Sequence, residues 1–137
     1  MPSLDWTLFK SLPGSEDQNF EDLCRKLVRL HYGRYGHFRA LSNQPGVEFH
    51  LKLTGSCELG DPPRWYGWQC KYHNRNKDNS LKAASKKKIQ ESLRITEREL
   101  PDVTDWVLWT PYTLSKGDQN WFYSLSTFMK LHLWSDQ

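Results

Sequence analysis

Glu48, Gln69 and Lys71 are the residues whose types and spacing could do chemistry together. Cutting a phosphodiester needs oxygen ligands for a hard divalent cation and a cationic group near the attacking water. Gln69 and Lys71 are two apart, so an extended strand projects both from one face. Glu48 belongs to Gly46-Val47-Glu48-Phe49-His50-Leu51-Lys52-Leu53, where Val47, Phe49, Leu51 and Leu53 alternate with Glu48, His50 and Lys52. If the two polar faces point the same way, carboxylate, amide and ammonium meet over a patch a few ångströms wide. Cys70, between Gln69 and Lys71, is expected to point inward and to offer its backbone carbonyl as a further oxygen ligand.

The elements that must position these groups follow from periodicity. After Pro13-Gly14, Ser15 with Gln18 resembles a capping box, and Glu16 and Asp17 suit the positive end of a helix dipole. Phe20, Leu23, Cys24, Leu27 and Leu30 then recur at helical spacing and form the expected inner face, with Gly33 and Gly36 closing the helix. Glu21 lies at the border of that stripe. The acidic strand, residues 46–53, and a second strand, Trp65 to Tyr72, are joined by a segment rich in Gly and Pro and are expected to pair as a long-tipped hairpin. Ser80 to Leu100 reads as a basic helix stopped by Pro101, its inner stripe traced by Leu81, Ala84, Lys88, Ile89, Leu93 and Thr96. Trp106-Val107-Leu108-Trp109 lacks polar alternation and reads as a strand covered on both faces. A helix from about Asn120 to Lys130, burying Trp121, Leu125, Phe128 and Met129, and an edge strand over Leu131 to Trp134 complete the chain. The order α-β-β-α-β-α-β predicts an α/β fold with a mixed sheet and a central hairpin flanked by helices.

Gly46-Val47-Glu48 followed by Gln69-Cys70-Lys71 resembles the PD-(D/E)xK nuclease superfamily, and more narrowly its Mrr-like branch, whose middle motif commonly reads Q-x-K. Asn19-Phe20-Glu21 is similar to that branch's Phe-Glu helix motif. The resemblance spans roughly residues 15 to 112, with four short motifs in the family's order. It implies a restriction-endonuclease-like fold and a Mg²⁺-dependent endonuclease acting on DNA, with Mn²⁺ as a substitute. It assigns Glu48 as the main metal-binding carboxylate, Gln69 as a neutral oxygen ligand, and Glu21 as an auxiliary carboxylate bound directly or through water. Lys71 would orient or deprotonate the nucleophilic water and stabilise charge developing on the phosphate. The chain departs from the family in carrying Glu rather than the commoner Asp at 48. The neutral Gln69 also leaves few negative ligands, which weakens metal binding until substrate phosphate joins. Similar domains are fused at the N-terminus of STAND-type NTPases in bacterial anti-phage defence. By that analogy the 137 residues form one domain, the N-terminal part of a longer cytoplasmic protein activated by self-association or clustering through a fused NTPase or sensor region.

Charge fits a polyanion partner. From Lys71 to Arg98 nine Lys or Arg stand against three acids, a balance of +6, whereas the whole chain carries +3 and the remainder therefore −3. His73, Arg75, Lys77, Lys82, Lys86, Lys87 and Lys88 form the expected DNA-backbone surface, which positions DNA without reading its sequence. The bland reading of the same run is a solvated helix face. His50 and Lys52 share the acidic strand's polar face, Asp61 is a rival acid in a turn, and Trp65 at the hairpin tip is a candidate for base stacking. Aromatic residues make up 14% of the chain, which argues against disorder, and no apolar run approaches the length of a membrane span. Cys24, Cys57 and Cys70 have no zinc-like spacing and are expected to be reduced thiols, two of them buried. Two further readings stay open from sequence: a nucleic-acid-binding module that keeps the fold without the chemistry, and an assembly module whose hairpin is only structural.

Overall fold

The computed structural model describes residues 15–40, 46–71 and 76–135. Helix α1 (Glu16–Tyr32) starts where Ser15 caps it, its side chain accepting the Gln18 N–H at 3.4 Å. Phe20, Cys24 and Val28 are its buried residues. Leu23 and Leu27 are half-buried, and Leu30 is 78% exposed rather than part of the inner face. The reason is angular: at about 100° per residue, Leu30 lies roughly 120° round the helix from Cys24. Gly33 ends the helix in a short 3-10 turn, Gly33–Tyr35.

Strand β1 (Gly36–Ala40) follows, an element the periodicity did not announce because it carries one inward apolar side chain of any size, Phe38. It pairs antiparallel with β2 (Phe49–Leu53), and β2 pairs antiparallel with β3 (Trp65–Cys70), forming the expected hairpin. Strand β4 (Asp105–Trp109) lies parallel to β3, and β5 (Lys130–Trp134) parallel to β4. The sheet is therefore mixed, and its five strands stand in sequence order.

Two cores sandwich the sheet. Phe49, Leu51, Leu53, Tyr66, Trp68, Cys70, Val107 and Trp109 pack under α1 on one face. On the other, Val47, Trp106 and Leu108 pack against α2 (Ala83–Glu99) and α3 (Lys116–Tyr123). β4 is buried on both faces, which is why it lacks polar alternation. The stripe of α2 runs through Ser85, Ile89, Leu93 and Thr96; Ala84 and Lys88, expected inside, are exposed. Helix α3 begins and ends earlier than expected. Ser115 caps it by accepting the Asp118 N–H at 3.2 Å, and beyond Tyr123 the chain turns, leaving Phe128 63% exposed while Met129 is buried. Among the described residues, no helix is long and apolar enough to cross a membrane.

Gly67 marks how closely the hairpin and the second core approach. A Cβ there would stand 2.9 Å from Val47 Cγ1 and 3.6 Å from Val103 Cγ1. Gly67→Ala is expected to destabilise the protein by about 1–3 kcal/mol through overpacking, read as a lower urea midpoint at unchanged m-value. An unchanged midpoint would contradict the tight contact.

Candidate active site

The strict alternation expected of residues 47–53 breaks at its start. Phe49, Leu51 and Leu53 lie in the α1 layer, but Val47 lies in the opposite one. The Glu48 N–H donates to Trp68 O at 2.9 Å, although Trp68 is already the register partner of Phe49. Glu48, just before β2, and Phe49 thus both face Trp68 of β3, which is a β-bulge. Gly46, with φ +107°, feeds the chain into it in a conformation that other residues rarely adopt. The bulge re-aims Glu48 and makes β2 fork away from β3.

The Glu48 carboxylate fills that fork. Its Oε2 accepts the Cys70 N–H at 2.8 Å, in place of a backbone acceptor that β2 no longer supplies, and its Oε1 lies 3.2 Å from Lys71 Nζ. Lys71 N–H points the other way, to Trp109 O at 3.2 Å. Because the peptide between Cys70 and Lys71 is planar and trans, the Cys70 carbonyl points back toward the fork. Carboxylate, ammonium, peptide N–H and peptide carbonyl therefore meet where the hairpin opens. The carboxyl is nearly out of water, and that desolvation raises its pKa from 4.5 to about 7. Lys71 and the Cys70 N–H pull it down, and the negative field of Glu21 from α1 pushes it further up. Glu21 itself is half-buried, one residue along from Phe20.

Gln69 is buried, 5% exposed, and because its neighbours Trp68 and Cys70 face α1, strand alternation turns it to the α2 side. Beneath the fork on the α1 side lie the buried thiols of Cys24 and Cys70, within hydrogen-bonding reach of each other; burial pushes both pKa values up. Cys57 is partly exposed, and all three cysteines are free.

The donor set suits a hard cation in its chemistry. Glu48 and Glu21 supply carboxylate oxygens and Cys70 a carbonyl, and a buried carboxylate held up near pH 7 is one that a nearby positive charge would stabilise. Two carboxylates are fewer than a dedicated protein cage, and among the described residues no group of three or more His, Cys, Asp or Glu is disposed to hold one ion.

The basic surface is only partly as the sequence suggests. Lys77, Lys82, Lys87 and Lys88 are exposed. Lys86 is half-buried and paired: its Nζ lies 3.2 Å from Asp118 Oδ1 and 5.2 Å from the centroid of the Trp121 ring. His73 and Arg75 lie outside the described residues. Lys52 is exposed, while His50 is buried and accepts at Nδ1 from Trp65 Nε1 at 2.9 Å, so Trp65 serves packing there. Asp61 is exposed in the hairpin tip.

Sequence reasoning missed Asp105. This buried acid, 1% exposed, accepts from Arg64 at 3.2 and 2.6 Å and from Thr104 at 2.7 Å, and it meets His132 Nε2 at 2.7 Å. Desolvation works against its ionisation, but the bonds from His132, Arg64 and Thr104 outweigh it and bring the pKa to about 2. Asp105 pairs with Tyr66 and Trp109 with Cys70, so this cluster stands at the opposite end of β3 from Lys71. An acid opening a wholly apolar strand was the available signal. Comparison with protein-family models and with curated proteins finds no match to this chain.

Proposed function

We propose that the chain is a metal-dependent endonuclease that hydrolyses phosphodiester bonds in DNA. The observation that carries this reading is the contact of Lys71 Nζ with Glu48 Oε1 at 3.2 Å across the fork of two adjacent strands. The order Gly-Val-Glu then Gln-Cys-Lys, similar to the PD-(D/E)xK superfamily, supports it. In this reading Glu48, with Glu21 and the Cys70 carbonyl, holds a Mg²⁺ or Mn²⁺ ion, which when bound would polarise the phosphate and acidify a water. Lys71 orients that water, holds or accepts its proton, and offsets charge growing on the phosphate. The exposed Lys77, Lys82, Lys87 and Lys88 give the phosphate backbone a positive surface. By the same resemblance the domain serves as a cytoplasmic effector of a bacterial defence system, switched on when copies cluster.

A second reading has its own observation. Gln69 is neutral, and Glu48 and Glu21 are the carboxylates of the donor set, which leaves few charged ligands for an ion. That favours a nucleic-acid-binding module of the same fold without chemistry.

A plasmid-nicking assay with Mg²⁺, Mn²⁺ or chelator separates the two. Nicking that requires the metal is expected; DNA binding without nicking under any metal would overturn the endonuclease and favour the silent module.

A further inference from the structure

The outer surface of β1 and β2 carries a second basic set, Arg39 and Lys52 with His37 beside them, which the periodicity did not assemble because it requires β1. The strand register places His37 opposite Lys52 and Arg39 opposite His50. Phe38, Phe49, Leu51 and Leu53 face α1, so these four side chains project from the other face. Helices α2 and α3 build their core over β3, β4 and β5 with Val47 at its edge, and no residue of β1 or β2 belongs to it. Among the described residues no helix covers this corner of the sheet, and although His50 is buried, His37, Arg39 and Lys52 are exposed.

The patch is chemically one-sided. β1 and β2 contain no acid, and among the described residues no ion pair involves His37, Arg39 or Lys52. Lys52 Nζ is steadied 5.6 Å from the Trp65 ring centroid, while His50 lies buried beneath, held by the bond from Trp65 to its Nδ1. Arg39 sits at the end nearest Glu48, since Ala40 pairs with Phe49. His37 and Lys52 lie one side-chain repeat further on, roughly 7 Å at 3.3–3.4 Å per residue. The result is a short ladder of donors leading away from the fork.

We propose that this face of β1 and β2 binds the phosphate backbone of a nucleic-acid strand and lays it toward the Glu48–Lys71 fork. Arg39 and Lys52, spaced along neighbouring strands without an apolar patch between them, suit the phosphates of a polyanion better than an acidic peptide, which would bring apolar side chains needing a pocket. The inference rests on the nuclease reading for the direction of the strand, but its test does not depend on cutting.

The test is fluorescence anisotropy of labelled single-stranded and duplex DNA with the protein in chelator, from 25 to 200 mM salt. Arg39→Glu/Lys52→Glu is expected to weaken binding by roughly tenfold or more at low salt and to flatten the slope of log K against log salt by about two, near 0.9 per lost phosphate contact. Arg39→Gln/Lys52→Gln should show a smaller loss of the same kind, and near-UV circular dichroism should be unchanged for both. If both variants bind like wild type while Lys87→Glu/Lys88→Glu loses affinity, the β1–β2 surface is overturned, and metal-dependent nicking by wild type would leave the nuclease reading standing. If wild type does not bind DNA at all, the surface is likewise overturned. Conversely, loss of binding in the double variants with no nicking under any metal would keep the surface and remove the nuclease.

Discussion

Lys71→Ala is expected to cut metal-dependent plasmid nicking by roughly 10²–10⁴-fold while the protein stays folded and still binds DNA. Lys71 is partly exposed, so its removal opens no cavity, but it strips Glu48 of the ammonium at 3.2 Å. Glu48 then has the Cys70 N–H alone against desolvation and Glu21, and its proton affinity rises further. The substitution thus removes a proton-handling group and weakens the carboxylate that would hold the metal. Lys71→Arg separates these effects, because arginine keeps the charge but does not give up its proton. Recovery of metal affinity without nicking assigns Lys71 a proton role; recovery of nicking assigns it an electrostatic one. Lys71→Ala cutting as well as wild type would remove the endonuclease reading.

The second large effect is on stability. With a folded pKa of about 7 against 4.5 unfolded, Glu48 takes up a proton more readily in the folded protein. Stability is therefore full below pH 4.5, declines as pH rises from 4.5 to 7, and carries the whole penalty above 7. The penalty is on the order of 3 kcal/mol. Glu48→Gln, neutral at every pH, should accordingly melt higher than wild type at pH 8 in chelator, by on the order of 10 °C. The advantage should vanish near pH 4.5. Millimolar Mg²⁺ should narrow the gap at pH 8 by stabilising wild type alone. A variant no more stable than wild type at pH 8 would mean that the carboxylate is already well compensated. A loss of activity bought with a gain of stability is the expected signature of a functional group held against its own preference.

Most of the scaffold was legible because burial leaves a period. Phe20 and Cys24 announce α1, the unbroken Trp106-Val107-Leu108-Trp109 announces a strand covered on both faces, and the Gly- and Pro-rich segment before Trp65 announces the hairpin tip. What failed were positions where a tertiary contact overrides the pattern. β1 owes its place to pairing with β2 rather than to alternation. Trp121, Leu125, Phe128 and Met129 recur at near-helical spacing, yet beyond Tyr123 the chain turns. At the candidate site, the types and sequence spacing of Glu48 and Lys71 foretold proximity. The route differed: alternation suggested a shared face, whereas a bulge brings Glu48 into the gap between strands. A bulge is one extra residue in a pairing, and nothing in a single sequence marks which residue is extra. The solvated appearance of Lys86 likewise hid its partner Asp118, thirty-two residues away in sequence.

The Asp105 cluster has a mechanical consequence. Arg64, just before β3, is gripped by Asp105, which also holds His132 on β5, so the hairpin is riveted to its neighbours at the end remote from Glu48. A beam clamped at one end and split at the other bends at the split. Any rearrangement on loading should thus concentrate in Gly46–Glu48 and Cys70–Lys71, and hydrogen exchange there should respond to ligand while the amides of Trp65 and Tyr66 stay silent.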